Sequence, residues 1–157
     1  MIKISLIIIS KQKAGPHKEL CEEYFKRLKS DISFKIIELT ETPFHSVAEK
    51  DKVLKNETEK IRKAIPSDSF LIVLDAAGKT FTSEKFAEQI DRLSEGGARP
   101  LTIIIGGPLG LSDEIKKAAD LLLSLSPMTM PHDLARVVLL EQLYRAGKIL
   151  KGKVYNY

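Results

Sequence analysis

Five apolar residues, Leu101 to Ile105, run directly into Gly106-Gly107-Pro108-Leu109-Gly110. The run is short, rich in β-branched residues and preceded by Pro100, which reads as a buried strand rather than a helix. Three glycines and a proline in the next five positions can neither extend that strand nor start a helix at once. They make a tight, exposed backbone turn. Ser112 then reads as an N-cap, with Asp113 and Glu114 in the first helical turn. A second apolar run, Leu121 to Leu125, leads into an irregular segment, Ser126 to Pro131, and a long helix follows. Two strands thus end in loops close together in sequence. In an open parallel sheet, ligands sit beyond the carboxyl ends of such strands, so these loops are where an active site is expected.

The rest of the chain alternates in the same way. Ile2 to Ile9 reads as a strand that is apolar on both faces, hence central. Pro16 opens a helix, as proline does at the first helical position, and the helix runs to about Leu28. Phe34 to Leu39 is strand two. Val47 to Ile65 is a charged amphipathic helix, its stripe made of Val47, Val53 or Leu54, Ile61 and Ile65; its charges are expected on an exposed face. Phe70 to Leu74 is strand three. Thr82 or Ser83 caps the next helix, which Gly96-Gly97 ends. The last helix spans about Pro131 to Gly147. This alternation predicts a single α/β domain over residues 1–157, a mostly parallel sheet flanked by helices.

Composition narrows the function classes. No apolar run approaches the ~20 residues of a membrane span, and the short apolar start reads as a strand rather than a signal peptide. One cysteine, Cys21, excludes an internal disulfide and a cysteine-based metal cluster. It reads as a half-buried structural thiol, and the expected compartment is cytoplasmic. A net charge of +4 permits a polyanionic partner without demanding one.

Familiar motifs are absent. GGPLG is neither GxGxxG nor a phosphate loop. Gly78-Lys79-Thr80 has the ending of a phosphate loop, but the glycine that should precede it across Leu74 to Ala77 is absent, Val73 standing there. The glycines fit close backbone approach to a flat ligand, or a plain turn. His17, His45 and His132 lack metal-ligand spacing, so no metal site is expected. His132, where the last loop becomes a helix, suits a general base, since imidazole titrates near neutrality; a helix-capping histidine is the alternative. The stripe of Val137, Leu140, Leu143 and Tyr144 fits either core or a two-fold dimer face. The terminal mixture of lysines and tyrosines from Lys148 suits phosphate contact and base stacking.

Joined together, IGGPLGLS, LSLSPMTMPHDLARVVLLEQLYRA and KGKVYNY form a far more specific pattern than any one part. The pattern resembles the RlmH family of the SPOUT superfamily, the 23S rRNA (pseudouridine-N3) methyltransferases, and LDAAGKTFTSEKFA resembles that family's third-strand motif. The resemblance covers the full chain and is strongest from Phe70 to Tyr155. It implies a homodimer, a deep trefoil knot within about residues 70–157 that holds the cofactor, S-adenosylmethionine as that cofactor, and 23S rRNA in the assembled ribosome as partner. General chain rules make knots very rare, so this expectation comes from the resemblance alone.

Carried over by position, the family's cofactor contacts fall on Leu74, Gly107 and Leu125, Ser126, Pro127, Met128, Thr129 and Met130. A side chain at Gly107 is expected to intrude on the ligand. The catalytic roles fall on His132, Arg136 and Tyr155, and RNA contact on Arg145, Lys151, Lys153 and Tyr155. The chain departs from the family in its ending: Val154-Tyr155-Asn156 replaces Pro-Tyr-His. Asparagine can hydrogen-bond but cannot take up a proton near neutral pH. A non-catalytic ribosome-binding protein of the same fold, and a small-molecule α/β enzyme, are the competing readings.

Overall fold

The structure, a computed structural model, describes residues 1–11, 13–95 and 99–152. Five strands and five helices alternate: β1 (Ile2–Ile9), α1 (Pro16–Leu28), β2 (Ile32–Leu39), α2 (Lys50–Ala64, entered through a 3-10 turn at Val47–Glu49), β3 (Phe70–Lys79), α3 (Ser83–Glu95), β4 (Leu101–Ile105), α4 (Asp113–Ala118), β5 (Leu121–Leu123) and α5 (His132–Leu150). The strands form one sheet in the order β2-β1-β4-β3-β5, and every pairing is parallel.

Helices cover both faces of that sheet, which is why the central strands are apolar on both sides. Ile4, Leu6 and Ile8 of β1 point to the face packed by α1, α3 and α5. Ile7 and Ile9 point to the other, packed by Ile61 of α2 and Ile115 of α4. On the first face α5 packs against both α1 and α3. Cys21 of α1 is fully buried there, deeper than its surroundings in sequence suggest.

Several boundaries differ from the sequence reading, each for a local reason. Strand β3 continues past Leu74 to Lys79 because it bulges between those two residues and resumes pairing with Leu123 of β5. Gly78 makes this possible: a β-carbon there would lie 2.7 Å from the Leu122 carbonyl oxygen. Strand β5 stops at Leu123, and α5 runs a turn further than expected, to Leu150. Thr82 caps α3, its hydroxyl accepting from the Lys85 N–H at 3.2 Å. Helix α2 does not carry all its charge outward; Glu57 is 3% exposed and Thr58 is buried beside it, while Val47 of the expected stripe lies in the open. The Gly96-Gly97 stop lies outside the described residues.

Candidate active site

The sheet order places β4, β3 and β5 side by side. Their carboxyl ends therefore open onto one space, although β3 and β5 are more than forty residues apart in the chain. That space is a cleft of about 820 Å³. Leu74 to Ala77 line it from β3, Ile105 to Leu111 from β4 and its loop, and Leu125 to His132 after β5, with Ala135 of α5 closing one side; Pro127 alone of that last segment stays out of the lining.

The glycine loop is a tight turn. The Gly110 N–H donates to the Gly107 carbonyl at 3.0 Å, with Pro108 and Leu109 at the corner, the position at which proline presets the backbone. Gly110 has φ of +79°, a conformation that costs a side chain strain. Gly107 packs closely on β1. A β-carbon there would sit 3.0 Å from Ile9 Cγ2 and 3.6 Å from Glu57 Oε2, pointing back into the protein. A side chain at this position therefore has to displace Ile9 of β1. After the loop, Ser112 caps α4 by accepting from the Ile115 N–H at 3.4 Å, and its hydroxyl lies 2.6 Å from that of Thr58.

In the opposite wall the Ser126 hydroxyl accepts from the Met128 N–H at 3.0 Å and shapes the turn. Met128 is 78% exposed, an apolar side chain at the cleft rim. His132 starts α5 on this side. Its Nε2 lies 3.9 Å from Glu41 and 3.8 Å from Asp133, between two carboxylates.

Asp75 is a lining residue that the sequence reading missed. Its Oδ1 accepts from the Ala77 N–H at 2.9 Å and its Oδ2 lies 2.7 Å from Lys116 Nζ. Burial pushes this carboxyl up, but the Lys116 ammonium and the Ala77 N–H outweigh it and hold the group below the usual aspartate range. The available signal was a lone acid at the end of an apolar strand. Glu57 behind Gly107 was also missed, because a glutamate in a charged helix reads as surface.

The remaining expected residues lie elsewhere. Arg136 is 2% exposed and pairs with Glu38 at 2.9 Å, outside the cleft lining. Arg145 holds Glu141 on its own helix at 2.7 Å. Lys151 pairs with Asp31, in the turn just before β2. Lys153 and Tyr155 fall outside the described residues, as does Asn156. Among the described residues no group of three or more metal-ligating side chains is assembled, and no helix is long and apolar enough to cross a membrane.

The cleft can receive a flat, partly apolar ligand. Three strand ends offer backbone N–H and C=O groups, and Leu74, Leu109, Leu125 and Met130 offer apolar surface. Comparison with known proteins agrees along the whole chain. The family model described as "Predicted SPOUT methyltransferase" matches residues 2–156. The putative ribosomal RNA large subunit methyltransferase H of Methanococcus maripaludis is 42% identical over 99% of both chains. The ribosomal RNA large subunit methyltransferase H of Natranaerobius thermophilus is 45% identical over 87% of both. That of Carboxydothermus hydrogenoformans is 43% identical over 99% of both. With a parallel sheet whose last three strands close one glycine-walled cleft, and with this likeness from end to end, the chain belongs to the SPOUT methyltransferase family, alongside the methyltransferases H (RlmH).

Proposed function

We propose that this protein methylates ribosomal RNA of the large subunit, at the N3 of a pseudouridine in the helix 69 loop of 23S rRNA on the assembled ribosome, using S-adenosylmethionine. One observation carries the reading: residues 74, 107, 125, 126, 128 to 130 and 132, scattered in sequence, line a single cleft, in a chain over 40% identical along nearly its whole length to proteins named ribosomal RNA large subunit methyltransferase H, one of them as putative.

The residues present fit the cofactor. The cleft lies within the ~300–1,000 Å³ of small-molecule sites, which combine apolar walls with a few fixed polar groups. Leu74, Gly107, Leu125, Ser126 and Met128 to Met130 would hold it, with backbone groups to hydrogen-bond a purine edge. When bound, the cofactor supplies an electrophilic methyl group on a sulfonium. The protein's own part is placement, since holding the reacting atoms near ~3 Å removes much of the entropic barrier. His132, at the cleft edge, takes the proton from N3 or orients the base. Arg136 acts from behind by fixing α5 against Glu38. Arg145, Lys151, Lys153 and Tyr155 meet RNA. The homodimer, the C-terminal knot and a cytoplasmic location belong to the same reading, with one subunit's tail completing the other's site.

Mass spectrometry of helix 69, from cells with and without this protein, tests the reaction. Loss of the methyl group on deletion is expected; an unchanged helix 69 refutes the proposal. Calorimetry with S-adenosylmethionine separates it from a non-catalytic binder, which would release no heat.

A further inference from the structure

Resting on the reading of the cleft as a cofactor site, we infer that Glu57 is a positioning residue of that site, whose carboxyl group ties the glycine wall to the loop that faces His132. Glu57 lies on α2, outside the cleft lining, yet it is 3% exposed. A buried glutamate is unusual unless paired. Its Oε1 accepts from the Thr42 N–H at 3.0 Å, in the connection after β2. Its Oε2 lies behind Gly107, 3.6 Å from where a β-carbon would stand there, an ordinary contact distance. One carboxyl group thus spans two loops that the chain keeps far apart.

The neighbours on both sides extend this link. Thr58, the next residue, meets the Ser112 hydroxyl at 2.6 Å where the glycine loop enters α4. Helix α2 therefore holds that loop at its Ser112 end and backs it at Gly107. Lys60, one turn on, donates to the Thr40 carbonyl at 2.7 Å, so the β2 connection is pinned on both sides of Glu41. Glu41 is the residue that faces His132 Nε2 at 3.9 Å. A shift of the Glu57 carboxyl moves the glycine wall and the His132 side together.

Charge makes the link sensitive to protons. Burial, above all, pushes the Glu57 carboxyl above the usual glutamate range; Glu41 adds to this, while the Thr42 N–H and Lys60 oppose it. The carboxylate form strengthens the bond to Thr42, because a charged acceptor binds an N–H more tightly.

Two measurements on the full chain test the inference. In the ligand-free protein, amide NMR signals of Thr42 and Gly107 are followed with pH. Both are expected to titrate with one shared midpoint above the ~4.3 of an ordinary glutamate, and both to lose it in E57Q. Separate midpoints, or a shared one that survives in E57Q, overturn the inference. Calorimetry with S-adenosylmethionine supplies the second arm. E57A is expected to weaken binding about tenfold, and E57Q, whose amide oxygen still accepts from Thr42, to stay within about threefold of the parent. A folded E57A with unchanged affinity overturns the inference. Should the parent itself not bind this cofactor, the cofactor reading fails, and the amide titration still decides whether Glu57 couples the loops. Should E57A not fold, E57Q and the spectra decide.

Discussion

Lys116 Nζ lies 2.7 Å from Asp75 Oδ2, joining the middle of α4 to the bulge of β3, where Asp75 lines the cleft. Asp75 is held below the usual aspartate range by this contact and the Ala77 N–H, against the effect of its burial. A carboxyl lowered in this way stabilises the fold above its unfolded pKa, near 3.9, and that stabilisation is lost as pH falls through the lowered native value. K116A is therefore expected to cost about 1.5–3 kcal/mol near neutrality, as loss of a charged hydrogen bond does. The difference from the parent should shrink as pH falls through the lowered native value of Asp75, where the parent too takes up this proton. Thermal melts at pH 7 and pH 3 check both halves; a difference that does not depend on pH contradicts the assignment.

Gly107 packs on Ile9, so enlargement there acts through the core. G107A puts a carbon 3.0 Å from Ile9 Cγ2, an overpacking expected to cost about 1–3 kcal/mol. Removing the obstacle should compensate: I9A/G107A is expected to lose less stability than the two single changes added together, as coupled neighbours do. Denaturant unfolding of the four proteins measures this. Strict additivity would return Gly107 to a role toward the ligand.

Gly78 admits no such compensation, because a β-carbon there meets only the backbone of Leu122 and Leu123, at 2.7–2.8 Å. G78A is expected to exceed the ~0.5–3 kcal/mol of most substitutions. It should loosen β5 and, with it, the segment 125–130. Hydrogen exchange would report this as lost protection at Leu123 and Ser124, whose N–H donates to the Lys79 carbonyl at 2.9 Å.

His132 lines the cleft but lies at its α5 edge. In the proposed reaction it handles a proton, not the cofactor. H132N is expected to slow methyl transfer about 10²–10⁴-fold, the usual contribution of a general base, with cofactor affinity within about threefold of the parent. Single-turnover transfer and calorimetry, run together, separate the two effects. Equal loss of binding and rate would make His132 a structural residue of the cleft.

Lys151 pairs with Asp31, and that hydrogen bond is the leading cause that lowers the Asp31 carboxyl. If Lys151 also meets RNA phosphate, K151A should weaken RNA binding for all sequences alike and reduce the salt slope by about one. D31N, which frees the lysine, should leave that slope in place. Filter binding across a salt series would show it, and an unchanged slope in K151A would remove Lys151 from the RNA surface.

Much of this was readable along the chain. The bounds of β1, α1 and β4 agree residue by residue with the reading of apolar runs, proline and glycine, because local sterics and the side-chain period decide them. Boundaries failed where pairing decided. Strand β3 runs to Lys79 because β5 offers hydrogen bonds across a bulge, and no local signal in Asp75-Ala76-Ala77-Gly78 announces that partner. The loops of the cleft were legible from GGPLG and from SPMTMP. That Glu57 stands behind one of them, and that Arg136 turns inward to Glu38, was not; a charge pattern on a helix gives no sign of which charge finds a partner from another element.

The sequence by itself determined the alternation of strand and helix, the α/β class, the turn at Gly107 to Gly110 and the family. Tertiary structure decided the strand order β2-β1-β4-β3-β5, and so which loops share a cleft and which polar groups stand behind them. The physical reason is range. Backbone conformation answers to residues a few positions away, whereas strand pairing and the burial of a charge answer to partners tens of residues distant, chosen only when the whole sheet assembles.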